Sequence, residues 1–387
     1  MMRYLTAGES HGPALTAIIE GLPANLPLSR EALNHELFRR QQGYGRGGRM
    51  KIEKDELKIL SGLRFSRTLG SPLTIQIINR DYDSWQEKMA PFGERPGTVE
   101  PVTCPRPGHA DLPGALKYGL QDVRDVLERA SARETAVRVA VGAVARELLK
   151  HFDIGIYSYV QAIGEVAAPP VAAAEVVRNY EKIEASPVRC PSLPAAQKMM
   201  AAIDRAKAEG DTLGGVFVVL ALGVPAGLGS HVHWDRKLDA RLAGALMSIQ
   251  SVKGVEIGDG FAAAARPGSL VHDEIYYEPH TGYRRRTNHA GGLEGGITNG
   301  EPLYCRVAVK PIPTLTKPLA SVDMDARKPA FAAVERSDTC VVPAAAVVGE
   351  AVVAWELAVA LQEKLGGDSL QEMLANYRSY RRQCAGR

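Results

Sequence analysis

The sequence predicts an α+β fold. Three observations carry that prediction. Apolar residues recur at helical spacing in several separate segments, β-rich runs stand between them, and the spacing of the two kinds is irregular. A doubly wound parallel sheet would need a steadier alternation of strand and helix. The chain has 387 residues, 45% hydrophobic and 24% charged, so it can bury a sizeable core and is not disordered.

The elements follow in chain order. Leu33 and Leu37 sit four apart in a stretch opened by Ser29, which reads as a helix. Leu73 to Ile78, LTIQII, reads as a strand. Ala136, Val139, Ala140, Ala143 and Val144 trace one face of a helix running to about Lys150, and a face made mostly of alanine permits close helix–helix approach. Residues 164–175, with Pro169-Pro170, read as a surface excursion and not a domain boundary. Met199, Ile203 and Ala206 mark a helix stopped by Gly210. A strand follows at 216–222, then a helix on Leu238, Leu242, Ala245, Leu246 and Ile249. A strand at 304–309 precedes a last long helix on Val348, Val352, Trp355 and Val359. There is no fixed-period repeat and no clean linker.

Composition excludes several classes. Lys+Arg 47 against Asp+Glu 44 leaves +3, too balanced for a protein that coats nucleic acid, and aromatics are only 6%. The five cysteines are widely spaced without a CxxC, which argues against a disulfide framework or a zinc finger. The N-terminus lacks the apolar segment of a secretory signal. The longest apolar stretch is read as 216–229, which is broken by Pro225 and falls short of the ~20 residues a membrane span needs. The expectation is a cytoplasmic protein with neither membrane nor nucleic-acid partner.

Two motif matches mislead. Gly8-Glu9-Ser10-His11-Gly12 fits the nucleophile elbow G-x-S-x-G, but too few residues precede it to build the sheet such an elbow tops. Gly43 to Gly48 fits G-x-G-x-x-G, yet it follows a helical segment and precedes a charged alternation at 50–59 suited to a strand. A dinucleotide fingerprint needs the opposite order. No GxxxxGK[ST] occurs.

Other motifs carry chemistry. Residues 39–51, RRQQGYGRGGRMK, hold Arg39, Arg40, Arg46, Arg49 and Lys51 among four glycines with no acidic residue. Forked guanidinium donors and exposed backbone N–H groups suit a phosphate or a polycarboxylate. A solvated basic loop or an RNA contact is the alternative. His109 lies in Arg106-Pro107-Gly108-His109-Ala110-Asp111, and His11 stands between Ser10 and Gly12. Two histidines on loops beside arginine-rich loops suggest a proton donor and acceptor near an anion. Arg129 and Arg133, four apart, are expected on one helical face, with pairing to Glu128 and Glu134 as the plain alternative. Residues 287–300, TNHAGGLEGGITNG, form a glycine-rich loop, and Lys310-Pro311-Ile312-Pro313-Thr314 can stand as a rigid wall beside a planar ligand. Arg336-Ser337-Asp338 precedes the last long helix, where Ser337 or Asp338 could serve as its N-cap. His231 and His233 have only i,i+2 spacing and are read as structural, so no metal site is expected. Arg284-Arg285-Arg286 reads as a solvated face or a subunit contact.

Taken together and in this order, these segments resemble the chorismate synthase family. The matching stretches are GESHG at 8–12, RRQQGYGRGGRM at 39–50, RPGHADL at 106–112, RASARET at 129–135, DTLGG at 211–215, SIQSVKGVEIGDGF at 248–261, NHAGGLEGGITNG at 288–300, KPIPT at 310–314 and RSDTC at 336–340. His289 departs from the family, which more often has Asn or Arg there. The resemblance implies a single domain over 1–387, with a helical layer between two antiparallel β-sheets, assembled as a homotetramer. It implies a lyase that converts 5-enolpyruvylshikimate 3-phosphate to chorismate and phosphate by 1,4-anti elimination. Reduced FMN would be required, with NADPH as a source of reducing equivalents.

Residue roles carry over in the same way. His11 is implied as donor to the leaving phosphate, His109 as the group beside the flavin N1–C2 edge, and Asp338 as the partner for proton transfer at flavin N5. Ser10, Arg49 and Arg133 are implied in substrate binding, and Arg40 and Arg46 in binding the substrate anion or NADP. FMN contacts map to Arg129, Ala130, Ser131, Gln250, Ser251, Gly295, Lys310, Pro311, Ile312, Pro313, Thr314 and Arg336. A phosphatase or phosphotransferase would instead show a metal-binding carboxylate cluster. An RNA-binding protein would show steep salt dependence and no flavin affinity.

Overall fold

The computed structural model describes residues 2–48, 53–279, 282–335 and 337–385. Two antiparallel sheets frame it. One has four strands in the order Arg3–Ala7, Ala14–Glu20, Leu73–Ile78, Leu57–Ser61. The other has five, in the order Val252–Ile257, Leu303–Val309, Gly215–Leu222, Gly155–Ile163, Val166–Ala167.

Side-chain alternation sets how each sheet packs. In the first sheet Leu15, Ala17 and Ile19 are buried on one face, opposite Leu73, Ile75 and Ile77 with the same period. The 215–222 strand is apolar on both faces. Phe217, Val219 and Ala221 enter the main core, while Val218 and Leu220 pack with Tyr159, Val176 and Ile183 beneath the short helices Ala173–Arg178 and Tyr180–Ala185. A strand covered on both sides reads as a continuous apolar run, which is how this one stands in the sequence.

Two long helices, Thr135–Lys150 and Val342–Leu365, pack on each other. The first also touches the four-stranded sheet, the second the 155–163 and 215–222 strands. Their crossing is close enough that a Cβ added at Gly142 would lie 2.4 Å from Ala351 Cβ. The close approach is at Gly142, which is not on the alanine-rich face predicted for the first helix; that face too is buried.

All five predicted helices form. Ser29 caps the first, Arg30–Gln41, by accepting from the Ala32 N–H at 3.1 Å. Some expectations need correction. The strand placed at 50–59 starts only at Leu57, and 50–52 lie outside the described residues. Neither Ser337 nor Asp338 caps the last long helix, whose N-cap is Val341. The longest apolar stretch is not 216–229 but the Val342–Leu365 helix. It is long and apolar enough to cross a membrane, yet its most apolar part is 94% buried in the core. Glu350 and Glu356 break the run in the sequence, and burial against arginines absorbs them. The N-terminal hairpin, the 155–163 and 252–257 strands and a final helix, Leu370–Ala385, were not anticipated.

Candidate active site

The N-terminal turns of the two long helices open onto one cavity of about 360 Å3, lined among others by Thr135 from one and Val341, Ala344, Ala345 and Val348 from the other. Helix N-termini carry partial positive charge and favour anions. The same cavity brings together Ser10, His11, Arg40, Arg46, His109, Ala130, Ser131, Arg133, Gln250, Ser251, Lys310, Ile312, Pro313, Thr314 and Asp338.

The cationic wall is built from chain segments far apart in sequence. Arg40 ends its helix buried, donating to Thr135 Oγ1 at 2.9 Å and to the Ala132 carbonyl at 3.0 Å. Arg133 donates to Asn79 Oδ1 at 2.9 Å and pairs with Asp55 at 2.7 Å, while Arg40 reaches the same carboxylate at 3.5 Å. Arg133 Nη2 makes no hydrogen bond. Asp55 thus answers both buried guanidinium groups, and Glu53, also buried, faces Arg133 Nη2 at 3.5 Å. Burial pushes Arg40 down to about 9; Asp55 opposes this, while Arg133 and Arg46 push the same way. An anion entering the cavity would favour the charged form of Arg40.

Asp338 is gripped by the glycine-rich loop. The Gly47 N–H donates to its Oδ1 at 2.5 Å, and Arg46 pairs with Oδ2 at 3.2 Å. This is a place where only glycine fits: a Cβ at residue 47 would come within 2.6 Å of the Ser337 carbonyl oxygen.

Each histidine is backed by a carboxylate. His11 Nδ1 lies 2.8 Å from Glu128 Oε1, and its backbone N–H donates to Glu128 Oε2 at 2.7 Å. Trp85 stacks on the ring, centroids 3.9 Å apart. Burial pushes Glu128 up, but its bonds to His11 and the nearby Arg124 outweigh that and hold it below its ordinary value. His109 Nδ1 lies 2.5 Å from Asp111 Oδ1. Asp111 is buried, which opposes ionisation, yet His109 and Arg106 hold it well below the usual carboxylate range. Arg106 also donates to Thr314 Oγ1 at 2.8 Å, and Lys310 Nζ donates to the Gly108 carbonyl at 3.0 Å, so the 310–314 wall is tied to the His109 loop.

Several predicted residues are not brought to this cavity. Arg129 and Arg133 do not share a helical face, because the helix Arg124–Ala130 stops at Ser131, which has extended geometry and caps the next short turn. Arg129 turns outward and donates to the Thr6 and Gly8 carbonyls. Neither arginine takes the expected pairing with Glu128 or Glu134; those carboxylates go instead to His11 and Arg124, and to Thr6 and Gln250. Pro311 is not among the lining residues, though its neighbours on both sides are. Gly295 sits in the hairpin joining Leu293–Glu294 to Ile297–Thr298, facing His231, and the 287–300 loop does not line the cavity. His289 is paired with Asp259 at 2.7 Å. Arg49 and Arg336 lie outside the described residues. His233 pairs with exposed Asp235, and no group of three metal-ligating side chains occurs among the described residues.

Sequence reasoning gave no role to Glu128, Asp111, Arg106, Asp55 or Trp85. For Asp111 a signal existed, two residues after His109. For Glu128, 117 residues from His11, none did.

Comparison with known proteins agrees across the chain. The family model described as chorismate synthase matches residues 2–361. A chorismate synthase of Trichlorobacter lovleyi is 62% identical over 386 residues, 98% of each chain. One of Desulforamulus reducens is 60% identical over 375 residues, 97% of each chain. A crystal structure of chorismate synthase superposes with a TM-score of 0.82 at 46% identity, covering 100% of this chain and 99% of the other.

Proposed function

The chain belongs to the chorismate synthase family, and on that premise we propose how its cavity performs the reaction. The protein is a lyase that converts 5-enolpyruvylshikimate 3-phosphate to chorismate and phosphate, the last step of the shikimate pathway. The observation that carries the assignment of roles is the convergence of His11, His109, Asp338, Arg40, Arg46 and Arg133 on one cavity.

The substrate bears a phosphate and two carboxylates. Arg40, Arg46 and Arg133 receive this charge, in a place where two of them are buried. His11 donates a proton to the departing phosphate from the ring nitrogen that Glu128 leaves unused. Ser10 and Ser131, whose hydroxyls lie 3.1 Å apart, orient the oxygen that leaves. Asp338, fixed by Arg46 and Gly47, assists removal of the ring proton on the opposite side of the 1,4-anti elimination. Arg49 and Arg336 belong to the same proposal as further substrate and flavin contacts.

The residues fit a flavin. Ile312, Pro313, Ala344, Ala345 and Val348 offer an apolar surface to a planar ring, while Gln250, Ser251, Lys310 and Thr314 offer polar atoms to its edges and phosphate. Reduced FMN, when bound, supplies electron density to the substrate while phosphate departs and regains it afterwards. His109 would stand beside the flavin's N1–C2 edge, able to position or protonate it. NADPH is the proposed source of reducing equivalents.

The sandwich arrangement is supported by the two long helices, one touching each sheet and both touching one another. A single domain is supported by a core that runs unbroken from Met2 to Tyr377. Exposed Leu5, Ile18 and Ile78 on the outer face of the four-stranded sheet support a homotetramer that covers them. A cytoplasmic location suits free cysteines.

The test is turnover with photoreduced FMN under anaerobic conditions, reading released phosphate and chorismate absorbance. His109→Ala is expected to lower kcat by roughly 10²–10⁴ with binding largely kept. Full turnover in that variant at saturating substrate overturns the role given to His109.

A further inference from the structure

We propose that Glu128 is the positioning residue for His11, fixing the ring so that Nδ1 donates to the carboxylate and Nε2 is the nitrogen offered to the cavity. This rests on the reading of His11 as proton donor. The grip on residues 10 and 11 is threefold. The Ser10 N–H donates to the Glu128 carbonyl at 3.0 Å, the His11 N–H to Oε2 at 2.7 Å, and the ring faces Oε1 at 2.8 Å. Glu128 is 2% exposed, so little solvent competes for these bonds. An ionised carboxylate only accepts, so the ring nitrogen facing it must carry a proton. The neutral ring is then the Nδ1–H form, and the imidazolium has one proton to give, at Nε2. Trp85, stacked at an interplanar angle of 19°, closes one face of the ring and keeps it from rotating.

The surrounding charges show why the carboxylate is needed. Arg124 lies 3.3 Å from Glu128 Oε1 and also over the Trp85 ring, and Lys88 lies over the same ring at 5.1 Å. Glu335 takes the other end of Arg124 at 2.7 Å. Two cations thus stand near the imidazole, and Glu128 is the acid in direct contact with it. The arrangement at His109 differs, since Asp111 is shared with Arg106 through its backbone N–H, Nε and Nη2. Glu128 is correspondingly freer to support a positive ring.

Trp85 supplies a readout that does not depend on turnover, because a protonated imidazole stacked on an indole quenches its fluorescence. In the free protein at one fixed pH, with a Trp85→Phe background subtracted, Trp85 quenching is expected to fall in Glu128→Gln, which no longer holds the ring against the indole. Glu128→Asp should restore most of it. In turnover, Glu128→Gln should lower kcat about 10–100-fold, with KM changed less than about threefold. Unchanged quenching together with an unchanged kcat overturns the proposal. Should Glu128→Gln fail to fold, 15N-histidine NMR of the unaltered protein decides: the neutral His11 ring must carry its proton on Nδ1, and an Nε2–H form refutes the assignment. If His11→Asn turned over normally, the donor role would fall while the fluorescence and NMR results still judged the Glu128 contact.

Discussion

Arg39 and Arg40 are consecutive residues that end in opposite electrostatic situations. Arg39 meets Glu36, Glu184 and Glu350 at 2.5–2.8 Å, and Glu350 also receives Arg146 at 2.6 Å, Arg189 at 3.1 Å and the Ser158 hydroxyl at 2.6 Å. Three arginines there face three glutamates, and Arg39 is pushed up although burial opposes it. Arg40, on the far side of the same helix end, shares Asp55 with Arg133 and is pushed down. The first cluster supplies its own counter-charges and needs no ligand. The second also has acids, Asp55, Glu53 and Asp338 against Arg40, Arg133 and Arg46, and differs in opening onto a cavity. The difference teaches that buried arginine alone does not mark an anion site; an adjoining cavity, and burial that its acids do not offset, do.

The largest effect that could break this contrast lies in the balanced cluster. Glu350→Ala should cost about 3–5 kcal/mol in urea unfolding, because three guanidinium groups lose their common partner inside the core. A loss below about 1 kcal/mol would show that the cluster is not structural. Its pH dependence has a definite sign. Burial raises Glu350, but Arg39, Arg146 and Arg189 outweigh it and hold it down to about 2, below its unfolded value. The stabilisation is therefore complete above pH ~4.5 and lost as pH falls toward 2. Glu350→Gln should flatten the stability profile across that window.

The cavity-lining cluster should respond to an anion alone. Inorganic phosphate at 100 times its Kd should raise the unfolding free energy by about 2.7 kcal/mol, read by thermal unfolding against chloride at equal ionic strength. Arg40→Gln should remove most of that gain and Arg146→Gln should not. The reverse pattern would place the anion site in the wrong cluster.

The contrast also shows what the sequence could convey. The glycine-rich arginine loop and the histidines beside glycine and proline gave anion and proton chemistry before any coordinates, because donor type and loop position are local facts. The carboxylates that decide each group's behaviour were not legible: Glu128 is 117 residues from His11, and Asp55 is 78 from Arg133. Arg129 was misplaced because i,i+4 spacing assumes an unbroken helix, and Ser131 interrupts it. Among the elements, helices with regular apolar spacing and a serine cap were readable. The final helix was not, since its polar sequence reaches the core mainly through Leu370, Met373 and Tyr377. The first hairpin was hidden because its turn is the GESHG segment, read as a motif and not as a connection between strands.

The smallest effect is the one that should strike both clusters together. Arg146 and Glu350 bind the balanced cluster to the two long helices, and Thr135, Ala345 and Val348 of the same helices line the cavity. The helices meet at Gly142, where an added Cβ would lie 2.4 Å from Ala351 Cβ and 2.6 Å from the Ala351 carbonyl oxygen. Gly142→Ala must push them apart, at a cost of about 1–3 kcal/mol from overpacking, less up to ~1 kcal/mol gained in helix propensity. Stability should fall and substrate KM should rise in the same variant, unlike either single-cluster change. Ala351→Gly combined with it should recover less than half of either effect, as measured by urea unfolding and steady-state kinetics, because the Ala351 Cα and carbonyl oxygen still lie 2.5 and 2.6 Å from the added Cβ. If Gly142→Ala lowered stability but left KM unchanged, the crossing would not be what ties the two clusters together, and each would have to be held by its own sheet.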